Sequence, residues 1–186
     1  MGAKCNTFYL SGKKINLNEF SSPVMLPPSV SLVTNLPEDS RFHSYLENIP
    51  NYEIAKLKTV EELMNMTMGV DRPINLPPLE INKGAIYIGE WKNGKRHGKG
   101  LLKWHDGGEY EGEWFDGKAH GKGIFISKQG DCYDGNFTNN QTNGFGIYKR
   151  TDGIKYEGFW RGDVQHGKGK EEWPDGSKYE GEYVNK

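Results

Sequence analysis

The chain has 186 residues, a formal net charge of −1 from 24 Lys+Arg against 25 Asp+Glu, and a hydrophobic fraction of only 34%. Balanced charge offers no field to draw in nucleic acid, and with a mean hydropathy of −0.80 the composition is poor for a thick globular core. No apolar run approaches the roughly 20 residues of a membrane-spanning helix, no secretory or transit peptide pattern opens the chain, and two cysteines (Cys5, Cys132) cannot make a disulfide framework, which fits a reducing compartment.

In chain order, the first residues are Met1-Gly2-Ala3-Lys4-Cys5-Asn6. Gly2 suits myristoylation and Cys5 palmitoylation, the two signals that stable anchoring needs, although Asn6 stands where Ser or Thr is preferred. Residues 1–37 show no helical period, and Pro23, Pro27, Pro28 and Pro37 break any long element. Phe8, Tyr9, Leu10, Val24, Met25 and Leu26 are too apolar for a solvated tail, so this segment reads as an extended arm lying on another surface. Short helices are predicted at about 39–47 and 60–68. The second opens on the capping box Thr59-Val60-Glu61-Glu62 and ends at Gly69. A linker carrying Pro73, Pro77 and Pro78 then leads to a first strand at 79–81, which turns at Asn82-Lys83-Gly84.

From Gly84 the regime changes: all but three of the 25 glycines, Gly84 included, and all five tryptophans lie from there on. Tyr87, Tyr110, Tyr133, Tyr156 and Tyr179 recur every 23 residues, the mark of a repeat architecture. Two residues after each comes Gly89, Gly112, Gly135, Gly158 or Gly181, and four after it Trp91, Trp114, Phe137, Trp160 or Tyr183. Glycine pairs return as Gly98/Gly100, Gly121/Gly123, Gly144/Gly146 and Gly167/Gly169, and an X-Gly turn closes each unit. Strand side chains alternate, so the Tyr, the Gly and the second aromatic share one face. The glycine leaves a vacancy that a neighbouring ring covers. Units starting at Tyr87, Tyr110, Tyr133 and Tyr156, with a partial unit at Tyr179, therefore predict consecutive β-hairpins in one elongated antiparallel sheet over 84–186, preceded by the partly helical arm over 1–83. The outer strand at 178–183 is expected to make an edge or end-to-end contact.

Tyr110-Glu111-Gly112-Glu113-Trp114, Gly117-Lys118 and His120-Gly121-Lys122-Gly123 resemble the MORN (membrane occupation and recognition nexus) repeat. In the third unit Asn140 replaces the turn glycine, Asn143 the histidine and Phe145 the lysine. In the fourth, Asp163 and Val164 stand where Gly and Lys are usual. A site requiring those positions in every unit is not expected. The resemblance implies axonemal and radial-spoke assemblies, protist cytoskeletal rings, membrane junctions and accessory parts of lipid kinases as settings.

Tempting chemistries dissolve on spacing. His97, His120 and His166 share one repeat position, but equivalent atoms in successive hairpins are about 9.5 Å apart, while zinc ligands lie about 2 Å from their metal. "GDVQHGKG" at 162–169 lacks the hydroxyl and the following helix of a phosphate loop. No metal, cofactor, nucleic acid or catalytic residue is therefore expected, and the chain reads as a non-catalytic scaffold. Its partner-binding face is expected to be the repeat aromatics: Tyr87, Trp91, Trp104, Tyr110, Trp114, Phe125, Tyr133, Phe137, Tyr148, Tyr156, Trp160, Trp173, Tyr179 and Tyr183. The leading expectation is a protein partner within a cytoskeletal, ciliary axonemal assembly. The alternative is a membrane adaptor on a cytoplasmic leaflet, acylated at Gly2 and Cys5 and touching anionic lipid with Lys95 and Lys118.

Overall fold

The structure, a computed structural model, describes residues 31–32, 60–81 and 84–184. The predicted arm before residue 31, the helix at 39–47, and Gly2 and Cys5 lie outside these residues.

Among the described residues, eleven strands form one antiparallel sheet in simple chain order. They are β1 (Ser31–Leu32), β2 (Ile74–Ile81), β3 (Ala85–Lys92), β4 (Lys95–Lys103), β5 (Glu109–Phe115), β6 (Lys118–Ile126), β7 (Cys132–Thr138), β8 (Gln141–Lys149), β9 (Lys155–Arg161), β10 (Val164–Glu172) and β11 (Lys178–Tyr183), with one helix, α1 (Val60–Asn65). Two kinds of connection alternate. Asn93-Gly94, Asp116-Gly117, Asn139-Asn140 and Gly162-Asp163 are two-residue turns with positive φ at both positions. That is the type I′ geometry whose twist matches the flanking strands. Asn140 and Asp163 depart from the repeat pattern yet keep the turn, because short polar side chains tolerate the left-handed region. The X-Gly pairs close the longer loops, as where Gly107 N–H donates to the Trp104 carbonyl at 3.0 Å.

Two differences from the predicted elements have physical causes. β2 begins at Ile74 and includes Pro77 and Pro78, where a linker was expected. Its register against β3 jumps between Leu76↔Gly89 and Leu79↔Tyr87, so the two prolines oppose Ile88 alone. A bulge is where a strand accommodates residues with no N–H to give. The second helix stops at Asn65, three residues early. Its last turn unwinds through Thr67 N–H to Met64 O (2.9 Å) and Met68 N–H to Asn65 O (3.1 Å), reaching Gly69 at φ +68°.

That unwound turn substitutes for a missing preceding repeat. Along the sheet each tight turn donates backward: Gly117 N–H to Arg96 O (2.9 Å), Asn140 N–H to Ala119 O (2.9 Å), Asp163 N–H to Thr142 O (3.2 Å). Ahead of the first turn, Thr67 takes this role. Its carbonyl accepts from Asn93 N–H and its Oγ1 from Gly94 N–H, both at 2.8 Å. Leu63 and Met64 meanwhile join the core cluster that contains Tyr87 and Trp91. Repeat arrays require such atypical ends, since an end unit lacks one neighbour to bury its face.

Candidate functional site

The aromatic face was the expected site, and its geometry is set by glycine. The register aligns Gly89↔Gly100, Gly100↔Gly112, Gly112↔Gly123 and so on to Gly169↔Gly181, an unbroken row across β3 to β11. The tyrosine of each unit lies over its glycines. A Cβ built on Gly112 would sit 2.7 Å from Tyr110 Oη and 2.6 Å from Gly123 Cα, closer than real side chains come. The phenol then donates to the carbonyl three residues on: Tyr87 to Glu90 (3.0 Å), Tyr110 to Glu113 (2.9 Å), Tyr133 to Asn136 (3.1 Å), Tyr156 to Phe159 (3.0 Å) and Tyr179 to Glu182 (3.3 Å).

Four of these tyrosine rings are also clasped edge-to-face by two others, their own second aromatic and that of the next unit, while Tyr179 meets Tyr183. Tyr110 meets Trp114 and Phe137 with centroids 5.0 Å away in both cases. The same clasp joins Tyr87 to Trp91 and Trp114, Tyr133 to Phe137 and Trp160, and Tyr156 to Trp160 and Tyr183, all T-shaped. The result is one continuous ladder of rings in the geometry their quadrupoles favour.

Of the fourteen aromatics, Tyr87, Trp91, Trp104, Tyr110, Trp114, Tyr133, Phe137, Tyr156 and Tyr183 are buried. Phe125, Tyr148, Trp160 and Trp173 are half-buried, and Tyr179 is 45% exposed. The rings spend their contact surface on one another, so of these fourteen a partner can reach only those five. Burial pushes the Tyr133 phenol well above the ordinary phenol range. It does the same for Tyr148, whose hydroxyl also donates to Asp131 Oδ2 at 2.9 Å.

Three features were missed or misread from the sequence. Arg96 is buried on the ring face, its guanidinium 4.2 Å from the Trp114 ring centroid, and it donates to Gly117 O at 2.7 Å. Burial lowers its pKa to about 10, so it stays cationic at neutral pH, held by a π face and a carbonyl. The signal available was that Arg96 stands where Ala119, Thr142 and Gln165 stand in later units. Cys132, buried at the start of β7, is disulfide-bonded, which the reading of the two cysteines as fitting a reducing compartment did not expect. A count of two excludes a framework but never a single bridge.

The third feature lies on the opposite face. There Glu90 folds over Gly98 and accepts the Lys99 N–H at 2.7 Å, and Lys99 faces Glu113 across β4–β5. At the equivalent cross-strand position of β8–β9 the register pairs Phe145 with Phe159. Their centroids are 5.7 Å apart, and the rings are 43% and 49% exposed. Phe145 is visible in the sequence as a departure from the lysine; its pairing with the displaced glutamate's position is a matter of register. Of the other expected residues, Lys95 pairs with Asp116 at 2.5 Å, and Lys118 is exposed. His97 and His120 flank Phe115 at 5.0 and 5.8 Å, which is packing chemistry, and burial lowers the His97 pKa.

A family model for the MORN repeat matches four consecutive stretches, residues 87–109, 110–132, 133–155 and 156–178. These boundaries coincide with the tyrosines spaced 23 apart. No curated protein matches the chain.

Proposed function

The chain is a MORN-repeat protein, and since such repeats generally serve protein and membrane interaction, we propose that it is a non-catalytic scaffold holding protein partners in a large cytoskeletal assembly, a ciliary axoneme. The observation that carries this reading is the ring ladder. The hydroxyls of Tyr87, Tyr110, Tyr133, Tyr156 and Tyr179 each donate to a carbonyl of their own unit. Groups spent in this way stiffen a platform; they do not converge on a substrate. The axonemal setting is one of the several that the resemblance implies.

The test is a tagged chain followed through detergent extraction and in-cell cross-linking. Retention with isolated axonemes, with cross-links to other proteins of the assembly, is the expected result. Release by detergent, together with a shift to the soluble fraction in Gly2→Ala, would replace it with the membrane-adaptor reading. A monomer absent from axonemes would end the axonemal reading outright.

A further inference from the structure

We infer that the face opposite the tyrosines carries a second, peptide-binding site: the Phe145–Phe159 pair, which takes a short extended segment of a partner protein with an apolar centre and acidic ends. The inference deepens the scaffold reading by naming the chemistry of one partner, and it does not depend on which assembly the chain joins.

The first ground is what the repeat does elsewhere. Successive strands carry one row on this face: Glu90, Lys99, Glu113, Lys122, Asn136, Phe145, Phe159, Lys168, Glu182, with Lys99↔Glu113, Lys122↔Asn136, Phe145↔Phe159 and Lys168↔Glu182 directly opposite each other. Lys99↔Glu113 and Lys168↔Glu182 set opposite charges across from each other without a direct ion pair, an arrangement that suits a solvated sheet face. At β8–β9 both members change together, Lys to Phe and Glu to Phe. Folding does not require this. The Glu90 role over Gly98 passes to Asn136 over Gly144, where Nδ2 donates to Phe145 O at 2.9 Å. In the fourth unit nothing replaces it: Phe159 lies beside Gly167 by its Cβ alone, at 3.8 Å from a built Cβ. Two half-exposed rings thus stand in a charged face, at a position that other strand pairs fill with polar residues.

The second ground is charge. Between Lys122 and Lys168 the row itself holds Asn136, Phe145 and Phe159, and the exposed carboxylate of Asp134 lies on the same face two residues from Asn136 along β7. Both lysines are exposed, as is Arg161, which shares the face of Phe159 two residues along β9. Glu157 on the same strand pairs with Lys155 at 2.7 Å, and Glu182 faces Lys168 from the edge strand without an ion pair. Four strand spacings separate the two lysines, roughly 19 Å. An extended peptide of about six residues covers that length. Apolar residues at its centre would cover the rings, and an acid near each end would meet a lysine. A desolvated aromatic anchor with a charged rim is the arrangement in which a few residues carry most of the binding energy.

The experiment uses the full chain and a fluorescein-labelled peptide, Asp-Glu-Leu-Phe-Leu-Phe-Glu-Asp, against the same peptide with lysine for each acid. Vesicles of phosphatidylcholine and phosphatidylserine form a third arm. The key variant is Phe145→Lys/Phe159→Glu, which restores the pair found in other units and so keeps the fold, checked by an unchanged circular dichroism spectrum. The acidic peptide should bind the parent chain, weaken with salt, and lose about tenfold or more in affinity in the double variant. Lys168→Glu should weaken it several-fold. Binding no tighter than that of the lysine peptide, equal binding by the double variant, or vesicle binding without peptide binding would each overturn the proposal. None of these results bears on whether the chain fractionates with axonemes.

Discussion

At the residue scale, one glycine and one tyrosine define each rung. Gly112 cannot accept a methyl group, since its position is already filled by Tyr110 Oη and Gly123 Cα. Gly112→Ala must displace the ring or part the strands, and overpacking of this kind costs about 1–3 kcal/mol. Urea unfolding should report that loss, whereas Gly94→Ala meets nothing within 4 Å and is penalised only by its φ of +70°. The phenols add a pH signature. Tyr133 and Tyr148 have pKa values raised by burial, as do Tyr156 and Tyr183. Unfolded tyrosine ionises near pH 10 while the folded rings keep their protons, so these groups' stabilisation is intact below about pH 10 and is lost as pH rises above it. Arg96 acts in the opposite sense, because its folded pKa is depressed to about 10 and the fold gains as it deprotonates. Four phenols outweigh one guanidinium, so denaturation midpoints should fall above pH 10. A rise there would contradict the burial of the rings.

At the element scale, the period of 23 makes the hairpins legible in the sequence, because each strand alternates and each unit repeats the alternation without insertion. The tight turns were harder to place: the X-Gly pairs draw the eye, yet the type I′ turns sit at Asn93-Gly94 and its equivalents. β2 was mostly hidden because Pro77-Pro78 reads as a linker until the bulge opposite Ile88 is seen. The capping role of α1 was hidden too, since Thr67 belongs to no repeat. That role has a direct consequence. Thr67→Val keeps the shape but removes the hydroxyl that accepts from Gly94 N–H and donates to Met64 O (2.7 Å). Losing a buried hydroxyl with two partners costs about 1–3 kcal/mol. Hydrogen exchange at the Gly94 amide should quicken first, with the β9–β10 amides little changed. Equal quickening along the whole sheet would mean that Thr67 is not a local cap.

At the scale of the whole molecule, the sheet is an array in which each unit leans on its neighbours through rings on one face and turn-to-turn hydrogen bonds at one side. The ladder was legible as a set of residues but not as a closed one. Periodicity placed the aromatics together, and only the register showed that they consume each other's surfaces. The Phe145–Phe159 pair was invisible for the complementary reason, that its two members lie 14 residues apart and meet only across β8–β9.

The most direct measurement of the ladder is a set of nuclear Overhauser contacts between side-chain rings in solution. The fold described here predicts cross-peaks within units, as from Tyr110 to Trp114, and between units, as from Tyr110 to Phe137 and from Tyr133 to Trp160, at centroid separations of 5.0, 5.0 and 5.3 Å. Rings that show within-unit contacts but none from one unit to the next would contradict it.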